Sequence, residues 1–391
     1  IVLVESIPEG MSVTGPTNPS TFQAWLELLS SATRSVDIAS FYWTLTNADT
    51  RTHEPSAAQG ERILAELLRL PRRGVAVRVA VSAPSAKAPL DDLRVLERAG
   101  AAVRAVDMPR LTGGVLHTKF WLVDGVHLYL GSANMDWRAL TQVKELGAAI
   151  YNCSCLAEDL GKIFEAYWAL GVPGAAVPAP WPDNFSTAIN ADTPLQLELN
   201  GSAAAVFFSS SPPPLCAAGR TPDLSALLGA IDGAERWLDV AVMSYLPGTE
   251  FRRPERFWPA IDERLRRAVF ERGVRLRLLA GSPRGCHPAV TTPRHPQRLL
   301  LVPASAAQSR IPFARVSHSK YMVTDTAAYV GTSNWSGDYF ERTAGSALVV
   351  AQAGPGTFRE RLQEVFQRDW SSGYSVDIAD TESWAGRCGP R

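Results

Sequence analysis

The sequence predicts a duplicated α/β protein, two mixed-sheet halves in series, and three pairs of matching segments carry that prediction. SVDIASFYWTL from Ser35 pairs with WLDVAVMSYLP from Trp237. RGVAVRVAVS from Arg73 pairs with RGVRLRLLAGS from Arg272, and HTKFWLVDGVHLYLGSAN from His117 with HSKYMVTDTAAYVGTSN from His318. All three matches run in the same order at a spacing of about 200 residues. Any one alone would be weak; together they mark a duplication.

Each half then reads element by element. PSTFQAWLELLSSA and PDLSALLGAIDGAE carry apolar residues at helical spacing, and each precedes the first β-rich run of its half. The two RGV segments are strands that follow charged helices. Alternation of helix and strand implies a central mixed sheet with helices on its faces. Residues 1–175 form the first half, 176–198 a linker and 199–391 the second half, the proline-rich stretch 172–182 supplying the hinge. Where the first half has the helix LDDLRVLERAG, residues 283–297 carry four prolines and predict a loop.

Composition narrows the class. With 391 residues, 46% hydrophobic and 20% charged, the chain can bury a large core. No apolar run approaches the roughly 20 residues that span a bilayer. The first residue is Ile1 rather than Met, so the chain is read as processed, with an upstream signal or anchor removed. Net charge is zero, which excludes a global basic field for nucleic acid or anionic membrane but leaves room for a local anion site. The cysteines Cys153, Cys155, Cys216, Cys286 and Cys388 have no zinc spacing. Asn-x-Ser sequons at Asn152, Asn184 and Asn200 suit a lumenal or secreted protein.

The chemistry sits in the third pair of segments. The first half has His117-x-Lys119, Asp124 and Gly131-Ser132-x-Asn134; the second has His318-x-Lys320, Asp325 and Gly331-Thr332-Ser333-Asn334. Residues two apart on a strand share a face, so each imidazole stands beside a cation. The glycine turn brings an Asn amide to the same sheet end, completing a set that holds phosphate oxygens. Lysine is otherwise scarce, at Lys87, Lys144 and Lys162 only.

These paired motifs resemble the HxKxxxxD signature of the phospholipase D superfamily. HTKFWLVDGVHLYLGSANMDWRALTQVKELG, YNCSCLAEDL and GTSNWSGDYF are similar to its endolysosomal 5′-exonuclease branch, from ESIPEG to the C-terminal region. The resemblance implies a duplicated phospholipase D fold whose halves share one active site. It also implies 5′→3′ hydrolysis of single-stranded DNA and RNA in the lysosome or late endosome lumen, a type II membrane precursor, a homodimer, disulfides and N-glycans. The second motif is shorter by one residue between Asp325 and Gly331.

A phosphodiester repels nucleophiles, so a catalyst needs positive groups around its oxygens, a neutral nucleophile and an acid for the leaving oxygen. Two histidines supply the last two, through a phosphohistidine, and Lys119, Lys320, Asn134 and Asn334 cover the oxygens; no cofactor or metal is required. The residues leave the two histidine roles interchangeable, and the resemblance makes His318 the nucleophile and His117 the acid. Asp124 and Asp325 read as orienting or structural carboxylates. Glu145 reads as the group that steers the opposite half's imidazole. His53, His127, His287 and His295 lack counterparts in the repeat and read as surface or loop residues.

Phe41, Tyr42, Trp43 and Tyr245 are candidates to stack bases, against a core reading that outweighs it. A further sequon at Asn334 lies too deep in the motif to be glycosylated. Cys153 and Cys155 are read as pairing with upstream cysteines, Cys286 with Cys388, and Cys216 as free. Two alternatives compete. A phospholipid phosphodiesterase or transphosphatidylase would share this chemistry, yet no exposed apolar loop stands out to form its rim. A catalytically dead scaffold is disfavoured by two intact His/Lys/Asn sets.

Overall fold

The computed structural model describes residues 1–84, 91–281, 296–380 and 382; the predicted loop at 283–297 and the Cys286–Cys388 pairing lie, but for Pro296 and Gln297, outside the described residues. The first half is a seven-stranded sheet in the order Val2–Ser6, Glu145–Ile150, His127–Gly131, Phe120–Val123, Ser35–Ser40, Ala76–Ser82, Ala102–Val106. The second repeats that order with Ser202–Ser211, Gly345–Gln352, Ala327–Gly331, Lys320–Thr324, Trp237–Val242, Arg275–Ala280 and Gln297–Leu300, and adds Leu195–Leu199 and Ser375–Asp377 at its edges. Leu195–Leu199 thus extends the second sheet from inside the stretch read as linker. In both halves two parallel pairings on one side of the central strand meet antiparallel pairings on the other. These are the mixed sheets the sequence predicts.

The repeat extends to side chains. Asp37 lies opposite Arg78 in register, and Asp239 opposite Arg277. Each pair closes a salt bridge at 2.7 Å. Each guanidinium also covers two rings of the last helix of its half, Phe164 and Trp168 in Ser154–Leu170 and Phe366 and Trp370 in Phe358–Trp370.

Strand alternation sorts the core. Phe120 and Leu122 face a cluster shared by both halves, while Trp121 and Val123 face the outer side of the first sheet. There the helix Thr21–Ser31 opens on a capping box between Ser20 and Gln23 and buries Trp25, stacked 4.8 Å from Trp121. The shared cluster unites Phe120, Leu130 and Tyr167 with Phe208, Tyr321 and Leu348. The two sheets therefore pack as one body, helix Ser154–Leu170 reaching across to the strand Ser202–Ser211 and helix Phe358–Trp370 to the strand Val2–Ser6.

Candidate active site

The two motifs meet where the sheets exchange backbone hydrogen bonds. His117 N–H donates to the Ala344 carbonyl and His318 N–H to the Lys144 carbonyl, both at 2.8 Å, beside matching bridges Leu116–Ala344 and Lys144–Ser317. Each histidine is thus anchored on the opposite half, which converts two separated sequence motifs into one site.

Lys119 and Lys320 stand at the starts of their strands, each donating its Nζ to the carbonyl of its own motif's histidine. The glycine turns follow. At Gly131 a Cβ would lie 2.7 Å from the Gly147 Cα and 2.5 Å from the Tyr129 hydroxyl, so only glycine lets the turn close on its neighbour. Beyond the turns, Asn134 donates its Nδ2 to the Tyr42 hydroxyl at 3.4 Å, and Asn334 to the Tyr339 hydroxyl at 3.1 Å.

The halves differ at one decisive position. Glu145 is 1% exposed, and its carboxylate lies 2.9 Å from His318 Nδ1 while accepting from Ser132 Oγ at 2.5 Å. Its counterpart in the second strand is Gly345, where a Cβ would press within 2.9 Å of Ser211 Oγ. His117 Nδ1 accordingly has no hydrogen-bond partner among the described residues.

Electrostatics follow from this crowding. Burial first, then the charges of Lys119, Lys320 and His318, hold His117 well below its usual pKa, the Thr332 carbonyl opposing. His318 is lowered by burial with Glu145 working against the shift. Burial and Lys320 push Lys119 well down, and burial brings Lys320 to about 7 despite Glu145 and Glu250. Glu145 stays below its usual value because, against its burial, His318 and Lys320 favour its charge. An anion entering here meets a desolvated cationic nest, and binding it restores the protons that the empty nest repels.

Asp124 and Asp325 are not brought to the histidines. Asp124 accepts from the N–H groups of Thr33, Arg34 and Ser35 at the far end of its strand, at 2.7 to 2.9 Å. Asp325 does the same for Glu235 and Arg236 at 3.1 Å. Each ties its hairpin to the start of the neighbouring strand, the structural side of the predicted reading. Trp43 is a core residue, 1% exposed, and Tyr245 is held by Asp262 at 2.7 Å. Of the predicted stacking group, Phe41 lies against the site, its ring 5.1 Å from that of His117. His127 belongs to a strand and accepts from Asn152 N–H.

Sequence reasoning missed Tyr339 and Glu250, which have no counterpart at the matching positions of the first half. Tyr339 stands edge-on to His117, ring centroids 5.1 Å apart, and Phe251 packs 5.8 Å from Tyr339. Two exposed aromatics that the sequence did not single out follow: Phe251, against Tyr339, is 64% exposed and Phe257 79%. They sit on a loop whose composition has no periodicity to announce it.

A family model described as PLD3/4, PLD-like domain, matches residues 12–291, and one described as cardiolipin synthase, PLD-like domain, matches residues 227–370. The chain is 56% identical to the human 5'-3' exonuclease PLD3 over 393 residues, covering 96% of this chain and 80% of that protein. It is 56% identical to the Xenopus tropicalis protein of the same name, covering 99% and 82%, and 48% identical to the mouse 5'-3' exonuclease PLD4, covering 97% and 79%. Among solved structures, phosphatidylserine synthase of Haemophilus influenzae superposes with a TM-score of 0.59 at 14% identity, covering 91% and 85%, a likeness of fold alone.

Proposed function

Because this chain belongs to the PLD3/4 family of PLD-like domains, we propose that it is a 5′-3′ exonuclease that hydrolyses single-stranded DNA and RNA through a phosphohistidine. The observation that carries the chemistry is the convergence of both His-Lys-Asn sets, with Glu145 on one imidazole only.

Glu145 accepts the Nδ1 proton of His318, so the lone pair of that imidazole sits on Nε2, and the carboxylate compensates the charge of a phosphorylated ring. His318 is therefore the nucleophile. Its Nε2 bonds to phosphorus while the P–O5′ bond breaks, and His117 gives its proton to the departing 5′-oxygen. Water then attacks phosphorus, His117 takes its proton, and the P–N bond breaks. The lysines and the two Asn amides stabilise the equatorial oxygens throughout. With the terminal nucleotide held through its 3′-phosphate, each cycle releases a nucleoside 3′-monophosphate. Phe41 beside His117 is placed to meet a base.

A second reading, phospholipid cleavage or transphosphatidylation, is favoured by one observation, the exposed Phe251 packed against Tyr339. The protein works in the lysosome or late endosome lumen, released from a type II membrane precursor, as a homodimer. Exposed sequons at Asn152, Asn184 and Asn200 support the lumenal placement, whereas Asn334, 6% exposed, stays bare. No helix among the described residues is long and apolar enough to cross a membrane.

Incubation with 5′-hydroxyl single-stranded oligonucleotides and, separately, phosphatidylcholine vesicles, at acidic pH with EDTA, tests the reading. Nucleoside 3′-monophosphates are expected from the first. Main products with 5′-phosphates reverse the orientation, internal fragments indicate an endonuclease, and turnover of the vesicles alone replaces this reading with the lipid one.

A further inference from the structure

The two Asn amides that face the phosphate are each tied to a phenol, and the two phenols come from unrelated places in their halves. Tyr42 follows the strand Ser35–Ser40, whereas Tyr339 lies in the helix Gly337–Glu341, five residues beyond the amide it holds. The matching residues of the opposite halves cannot substitute: by register with the two motif strands, Tyr42 corresponds to Ser244 and Tyr339 to Ala139. Each half has therefore arrived separately at one arrangement, a phenol oxygen behind an Asn Nδ2.

We propose that Tyr42 and Tyr339 are positioning residues of the phosphate site, acting through Asn134 and Asn334, a statement that rests on the phosphodiesterase reading above. Tyr42 shows how the hold is made directional. Its hydroxyl donates to Asp136 Oδ2 at 3.0 Å, and Asp136 is locked to Arg138 at 2.8 Å, both residues nearly fully buried. With its own proton committed, the phenol oxygen can only accept, so it selects the NH2 side of the Asn134 amide rather than the carbonyl. Arg138 extends the chain across the boundary by donating to the Pro312 carbonyl of the other half at 2.5 Å.

A tethered NH2 group keeps one hydrogen on the phenol and directs the second elsewhere. Both amide oxygens, Asn134 Oδ1 and Asn334 Oδ1, are buried and without a hydrogen-bond partner among the described residues. The amides are thus not oriented by satisfying their carbonyls. A side chain that leaves a buried acceptor unpaired while its donor end is tethered is arranged for what the donor end does. Tyr339 has a second position to hold, since its ring meets His117 edge-on at an interplanar angle of 76°. Transition-state stabilisation by fixed donors depends on their needing no reorganisation during the reaction, and the phenols remove the rotation that would otherwise be required.

The test uses the whole chain and a minimal diester, bis(p-nitrophenyl) phosphate, which has no base to stack and no second nucleotide to bind. Tyr42→Phe and Tyr339→Phe keep the rings and delete one oxygen each. Each is expected to lower kcat about tenfold, the scale of one lost hydrogen bond, with KM changed less than about twofold; Tyr42→Phe also lowers the thermal midpoint, because Asp136 loses a buried donor. Pairing decides whether the effect runs through the amide. In an Asn134→Ala background, Tyr42→Phe should cost less than about twofold, whereas in an Asn334→Ala background it should keep its tenfold, and the converse holds for Tyr339→Phe. Equal costs in both backgrounds, or unchanged kcat in the single variants, overturn the inference while leaving the phosphodiesterase reading in place. No turnover of the diester by the wild-type chain removes both.

Discussion

Replacing Glu145 by Gln separates charge from orientation at the catalytic pair. The amide oxygen of Gln can still accept the Nδ1 proton of His318 and the Ser132 hydroxyl, so the ring keeps its direction and loses only its anionic partner. A buried hydrogen bond to a charged group contributes ~1.5–3 kcal/mol, and at about 1.4 kcal/mol per decade that is roughly a ten- to hundredfold fall in kcat/KM. The pH profile carries the sharper information. In the native site burial and Lys320 lower the pKa of His318, and Glu145 opposes them. Without that opposition His318 deprotonates at lower pH. If neutral His318 is the nucleophile, the acid limb of kcat/KM marks its protonation and moves to lower pH, by about one to three units for the loss of an adjacent opposite charge. Lys320 and Lys119 remain, and both push the same way. Profiles on a short single-stranded oligonucleotide across pH 4 to 9 would show it. A shift of the alkaline limb instead would exchange the two histidine roles. An acid limb that stays put with kcat/KM within twofold would refute the coupling of Glu145 to His318.

Other outcomes follow from the same geometry. His117→Ala and His318→Ala should each abolish turnover while EDTA leaves the wild type active, and more than a few per cent residual activity in either variant argues against a two-histidine mechanism. The kcat/KM optimum should fall below neutrality, because the lysines and burial lower both histidines in the free site; a maximum above pH 8 in the same assay would defeat that charge assignment. Asp124→Asn should spare kcat but lower the thermal midpoint at pH 7 by a few degrees. Burial raises the pKa of Asp124, yet hydrogen bonds from Thr33, Ser35 and Arg34 outweigh it and bring the carboxyl to about 2. Its stabilisation is therefore present above the ordinary Asp range and lost as pH falls towards 2, so the wild-type and variant melting curves should converge in acid.

The duplication was legible because the features that define a sheet are periodic. The runs from Ser35 and Trp237, and those from Arg73 and Arg272, match in the sequence itself, whereas the pairing of Asp37 with Arg78 and of Asp239 with Arg277 inside them needed the sheet register. The histidines, lysines and Asn amides were legible because they are written twice. Glu145 could be named as a steering group since it follows the first turn, but its partner lies 173 residues away, and only the crossing at Lys144 brings His318 to it. Tyr339 and Glu250 were not legible, for a different reason. They occur once, on a short helix and an irregular loop, where no repeat or period marks a residue as special. Asp124 and Asp325 were legible as motif members while their hydrogen bonds to the preceding strand start were not, as a motif states only that a residue is present.

A duplicated fold presents a difficulty that the differences between the halves resolve. Two identical histidines in identical surroundings would share a single proton without preference, whereas the proposed reaction needs one particular ring neutral and the other protonated. The backbone is symmetric where symmetry helps: each histidine N–H is held by the opposite half at the same 2.8 Å, which sets the two rings in one site. The side chains are not. At one equivalent position stands a carboxylate, at the other a glycine where a Cβ would clash with Ser333 Oγ and meet Ser211 Oγ at 2.9 Å. A carboxylate against His318 and an unpartnered Nδ1 on His117 give the rings different proton affinities before any substrate arrives. Entry of a phosphodiester then raises both, and the ring already paired with Glu145 has its Nδ1 proton fixed and its Nε2 committed to attack. The productive form is the singly protonated pair in which His117, next to Tyr339, carries the proton and His318 Nε2 is free. Symmetry builds the cradle, and one Glu-to-Gly difference makes the surroundings of the two imidazoles unequal.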